Sequence, residues 1–158
     1  MKTKTKPGTP ERRDEIMKKI RADVKKHGQC VLFVGPGPDS DPYSYTIGRG
    51  KRGLPELLLA APVRPEVGRS ILNTLDKLMP EALPSGSTVN VGGSHPVMVV
   101  DAIDDVKALY TLIDNTFHGD PNSYRVQQVL LCDPDGNFPP DCAEPYSKQP
   151  NLRVNKLH

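Results

Sequence analysis

Three apolar segments follow one another between residues 30 and 61: Cys30-Val31-Leu32-Phe33-Val34, Tyr43 to Gly48, and Leu57 to Ala61. The first two are separated by Gly35-Pro36-Gly37-Pro38-Asp39 and the last two by Gly48-Arg49-Gly50-Lys51-Arg52-Gly53. Segments of this length read as strands, and their glycine- and proline-rich links are too short to hold a crossover helix. The chain must therefore double back on itself. This part of the molecule is expected to form antiparallel sheet, which argues against a doubly wound parallel fold.

The flanking sequence has the helical period instead. Thr9 can cap a helix whose first residue is Pro10, whose inner face carries Ile16, Met17, Ile20 and Val24, and which Gly28 ends. A second helix opens at Arg64-Pro65-Glu66 and presents Val67, Ile71, Leu72, Leu75, Leu78 and Met79 before Pro80. A third, capped by Asp101 or Asp104, places Val106, Leu109, Tyr110, Ile113 and Phe117 on one side and stops at His118-Gly119-Asp120-Pro121. Between these lie a short strand at Thr88 to Val91, another at Val97 to Val100, and an alternating strand from Tyr124 to Cys132. The order predicts an α+β fold, with about three helices on a mainly antiparallel or mixed sheet. Residues 1–8 read as a disordered basic arm, 9–140 as a single domain, and 141–158, polar and proline-rich, as a loose tail.

Charge is uneven along the chain. Residues 1–26 carry ten Lys or Arg against four Asp or Glu, and the remainder carries eleven against fifteen. Such an arm can touch nucleic acid or an acidic protein, although a solvated helix face is the simpler explanation. Cys30, Cys132 and Cys142 make an odd count, and Pro7-Gly8-Thr9-Pro10 falls where a secretory leader would need apolar residues. A cytoplasmic, reducing setting with free thiols is the expectation, and no apolar run is long enough to suggest a membrane span.

The glycine loop is the first candidate site. Gly48-Arg49-Gly50-Lys51-Arg52-Gly53 matches the dinucleotide pattern in letters, yet it leads into Leu54-Pro55-Glu56 and a strand, not into a helix. Its backbone amides with Arg49, Lys51 and Arg52 can still cradle an anion. Glu56, between a proline and an apolar strand, needs a partner if it points inward, and the loop arginines or a tyrosine are candidates. A metal site is not expected: His27, His95, His118 and His158 do not stand at ligand spacing with one another or with cysteine. Ser94-His95 lacks the elbow of a serine hydrolase, and Asp133-Pro134-Asp135-Gly136-Asn137 reads as a turn, not a calcium loop.

An ordered set of motifs then points to a family. Tyr45-Thr46-Ile47-Gly48, Gly53-Leu54-Pro55-Glu56-Leu57, Leu72-Asn73, and Gln128-Val129-Leu130 with Asp133, Gly136 and Phe138-Pro139 resemble the DUF4262 family, as does His27-Gly28 at the end of the first helix. Arg49 and Pro140 depart from the usual residues at their positions. The resemblance implies a small cytosolic protein of bacteria or bacteriophages, and it carries over no catalytic residue or cofactor.

The residues worth testing as a ligand site are Tyr45, Thr46, Gly48, Arg49, Lys51, Arg52, Glu56, Gln128 and Asp133, with Pro55 as a motif position beside them. The leading expectation is a domain that binds an anionic small molecule, such as a nucleotide or flavin phosphate, in a cleft near these motifs. The alternative is a bacterial or phage interaction module that docks on a host or partner protein. An enzyme using Glu56 as acid or base ranks third.

Overall fold

The computed structural model describes residues 10–38, 41–93 and 95–154. The basic arm at residues 1–8 lies outside the described residues, as does Ser94. The fold is α+β in a single domain, built on one mixed sheet of six strands. These are β1 (Cys30–Val34), β2 (Tyr43–Ile47), β3 (Glu56–Leu59), β4 (Ser87–Val89), β5 (Val97–Asp101) and β6 (Val126–Leu131). Their spatial order is β1-β2-β3-β6-β5-β4.

The first three strands form the expected antiparallel meander, with Leu32 opposite Tyr45 and Tyr45 opposite Leu58. At the centre, β3 runs parallel to β6, pairing Glu56 with Val126 and Leu58 with Gln128. Strand β6 then pairs antiparallel with β5, and β5 with β4. The central parallel pair needs a long return path, and the helix, two strands and helical turns between residues 60 and 125 supply it.

Helix α1 (Pro10–His27) and helix α2 (Pro65–Leu78) take opposite faces of this sheet. Leu72, Leu75 and Met79 pack with Leu57, Leu59, Val97, Val99, Val129 and Leu131 on one face. Met17 and Ile20 pack with Tyr45, Ile47, Leu58, Tyr124 and Val126 on the other. Strand β6 is buried along its whole length, so its two glutamines need internal partners. Gln127 donates to Leu83 O and Asp101, and Gln128 donates to Pro150 O at 2.8 Å.

Two expectations are corrected. The third helix is broken into α3 (Val106–Leu109) and α4 (Leu112–His118), because Tyr110 and Thr111 both donate their amides back to Val106 O and close the first turn on itself. Residues 141–154 are not loose. Gln149 completes the backbone of Leu131 by donating to its carbonyl and accepting from its amide, each at 2.8 Å, and Ile103 N donates to Leu152 O at 2.8 Å. Leu152 is buried in the core on the α1 face. Polarity hid this segment: its contacts are backbone and amide hydrogen bonds, which leave no apolar period. Leu152→Ala is expected to destabilise the fold by about 2–4 kcal/mol in urea denaturation, whereas a loose tail would show no change.

Candidate functional site

Proline and glycine bring the central carboxylate into place. Gly48 follows β2 with φ at +115°, where a side chain is strained, and a Cβ there would lie 2.8 Å from Val24 of α1. The chain then makes a tight helical turn over Arg49–Arg52, and Gly53 closes it with φ at +74°. The turn points three successive amides inward at Glu56, the first residue of β3. Gly48 N and Gly50 N donate to Oε2 at 2.9 and 3.0 Å, and Arg49 N donates to Oε1 at 3.1 Å. Thr46 Oγ1 donates to Oε1 at 2.9 Å while accepting from Leu57 N at 2.8 Å.

Helix α4 supplies the rest of the cluster. Asp114 and His118 stand one helical turn apart, so both face the same way. His118 Nε2 lies 2.7 Å from Glu56 Oε2 and 3.5 Å from Asp114 Oδ1. The imidazole stacks on Tyr124 with ring centroids 4.7 Å apart, and Gly50 covers it so closely that a Cβ would fall 2.7 Å from Cε1. Tyr124 is fixed by Asn115, to which its hydroxyl donates at 2.6 Å, and by Thr111. Tyr45 accepts from Ile113 N at 3.2 Å, tying β2 to the start of α4.

Burial and charge compete in this cluster. Burial pulls the His118 imidazole down, but the neighbouring Asp114 carboxylate, the hydrogen bond to Glu56 and the charge of both groups outweigh it and raise the pKa from 6.5 to about 9. Burial holds Asp114 well above the ordinary carboxylate range, with the Glu56 charge pushing the same way and His118 opposing. Burial likewise raises the phenols of Tyr45 and Tyr124.

The cations of the loop serve the fold. Arg49 is wholly buried: its Nε donates to Pro55 O at 2.9 Å and its Nη1 pairs with Asp76 of α2. Arg52 pairs with the same Asp76 oxygen at 2.7 Å and donates to Gly28 O at 3.2 Å. Lys51 sits 5.5 Å over the Phe117 ring. The partner expected for Glu56 among the loop arginines is thus corrected, because their guanidinium groups turn to Asp76 and the loop offers Glu56 its amides instead. The same amides are no longer open to an outside anion.

The sequence candidates therefore separate. Thr46, Gly48 and Arg49 gather round the buried Glu56 carboxylate, with Pro55 beside them and Lys51 and Arg52 on the same turn, while Tyr45 reaches the start of α4 at Ile113, next to Asp114. Gln128 is held by Pro150 further along β6. Asp133 sits past the end of β6, where it accepts the amides of Asp135, Asn137 and Ala143, each at 2.9 Å. Sequence reasoning missed Asp114, His118 and Tyr124 as members of the cluster. The Asp114/His118 pair, four residues apart on one helix, was the available signal.

Two concave surfaces lie outside the cluster. A cleft of about 640 Å³ opens beyond the carboxyl end of β3, lined by Ala60, Ala61, Val63, Arg64, Tyr110 and Lys148 among others. A larger groove of about 1080 Å³ follows β1 between α1 and α2, with Arg12, Lys19, Asp23, Arg69 and Lys77 on its walls.

An α+β domain with motif residues converging on a buried glutamate defines the class of protein. The chain matches DUF4262, a domain of unknown function, over residues 23–143, most of its length, and it belongs to that family. No curated protein and no solved structure matches it.

Two outcomes follow from the cluster. Gly48→Ala is expected to cost about 2–3 kcal/mol, from backbone strain and crowding against Val24, measured by equilibrium denaturation. The raised pKa values of His118 and Asp114 mean that the folded chain holds protons more tightly than the unfolded chain. Their stabilisation is complete at low pH and fades as pH rises, His118's between 6.5 and about 9. In buffer containing EDTA the Tm is expected to fall by on the order of 5 °C across that window, and His118→Gln is expected to flatten the fall.

Proposed function

We propose that the protein binds an anionic small molecule with an apolar or aromatic part, of the size of a nucleotide or flavin phosphate, in the cleft beyond β3. One observation carries the reading: Arg64 and Lys148 line a concavity of about 640 Å³ whose floor is Ala60, Ala61, Pro62 and Val63 and whose wall includes Tyr110. That volume falls within the ordinary range for small-ligand sites, and a few polar groups on an apolar surface is their usual make-up. Arg64 also occupies the N-cap position of α2, so the cleft lies at the positive end of a helix dipole. The ligand is thereby moved from the glycine loop to the opposite end of β3, since the loop amides are engaged with Glu56.

A second reading has an observation of its own. Strand β1 ends the sheet and pairs only with β2 among the described residues, and the long groove runs beside it. An extended segment of a partner protein could add there as a further strand. The cytoplasmic setting is part of the same proposal, supported by three unpaired cysteines. No helix among the described residues is long and apolar enough to cross a membrane.

A melting screen against nucleotides, flavins and simple phosphates distinguishes the two. A ligand at a concentration roughly 100-fold above its Kd is expected to raise the Tm by about 5–10 °C. The double variant Arg64→Ala/Lys148→Ala should lose that shift while melting within a degree or two of the parent, as exposed charges contribute little to stability. If no ligand shifts the parent at millimolar concentration, the small-anion reading fails and partner capture on the β1 edge becomes the experiment.

A further inference from the structure

We propose that Glu56, Asp114 and His118 form a binding site for a divalent transition-metal ion. One donor atom from each residue lies within 4.8 Å of the other two. The cluster is separate from the cleft beyond β3, and the proposal stands without any ligand there.

The unsatisfied group is Asp114. Its side chain is wholly buried, yet neither carboxylate oxygen accepts a hydrogen bond among the described residues, and Oδ1 faces His118 Nε2 at 3.5 Å. A buried carboxylate without partners is costly, and its one ion-pair contact among the described residues is this imidazole at 3.5 Å. Two carboxylates and a neutral imidazole would balance the charge of one dication, and His118 Nε2 faces the same space as the carboxylate oxygens.

The supporting shell is already built. Glu56 is oriented by three backbone amides and the Thr46 hydroxyl, and His118 is held against Tyr124 beneath Gly50. One imidazole with two carboxylates suits zinc, manganese or ferrous iron better than calcium, which takes six to eight oxygens. The 2.7 Å contact between His118 and Glu56 must lengthen for both atoms to sit at ligand distances of about 2.0–2.2 Å from one ion. A sub-ångström movement of α4 provides that.

The test uses the full chain, stripped with EDTA, exchanged into metal-free buffer, and titrated separately with Zn²⁺, Mn²⁺ and Co²⁺. At a roughly hundredfold excess over Kd the Tm is expected to rise by about 5–10 °C, and Co²⁺ should give visible absorption bands from nitrogen and oxygen ligation. Asp114→Asn removes a ligand while keeping the shape of the side chain. The stripped variant should melt close to the parent's temperature and should lose both the metal shift and the cobalt bands. His118→Gln should lose them as well, which keeps the test intact if the first variant does not fold. The proposal is overturned if no metal shifts the parent at millimolar concentration, or if either folded variant keeps the parent's shift and cobalt spectrum.

Discussion

The carboxylate of Glu56 is the interaction on which the rest of the structure depends. It joins the turn after β2 and the start of the central parallel pair, which are six to eight residues apart, to the last turn of α4, 62 residues further along the chain. Each donor it accepts has few alternatives. The amides of Gly48, Arg49 and Gly50 point away from solvent, and a buried amide without a partner costs roughly as much as a lost hydrogen bond. Removing the carboxylate would therefore orphan several donors at once, and the loss would exceed that of a single bond. The buried Arg49 extends the same arrangement to the other face of the sheet, where it meets Asp76 of α2.

Much of the architecture was legible because it follows from period and punctuation. The strand segments from Cys30, Tyr43 and Leu57 appear as strands, and Pro10, Gly28, Pro65 and Pro80 bound their helices as their backbone preferences require. Glu56 stood out for a physical reason too, a charge at the mouth of an apolar strand. Its partners did not. Backbone amides have no letter of their own in a sequence, and His118 comes from 62 residues further along the chain. The split of the third helix escaped notice because Tyr110 and Thr111 do not interrupt the apolar spacing and only close the hydrogen bonds early. The C-terminal segment shows the same blindness to polar contacts, since Gln149 acts on Leu131 through amide geometry and not through burial of an apolar face.

The glycine loop shows how a motif can be right in chemistry and wrong in direction. Glycines, successive amides and cations do form an anion-binding turn here, and the anion is a side chain of the same protein. The cations then become ties between elements. An outside anion would have to find its positive charge elsewhere, which is why Arg64 and Lys148, absent from the motif pattern, matter to the proposed function.

The break between α3 and α4 brings two surfaces into mechanical contact. Tyr110 forms part of the cleft wall, and the next residue, Thr111, touches the tyrosine that supports His118. One peptide bond thus separates the cleft from the acidic cluster. A displacement of the Tyr110 ring would act on a segment whose far end, eight residues on, carries the imidazole of His118. The kink that spoils a regular helix thus sets the wall of the cleft and the support of His118 on adjacent residues of one short segment.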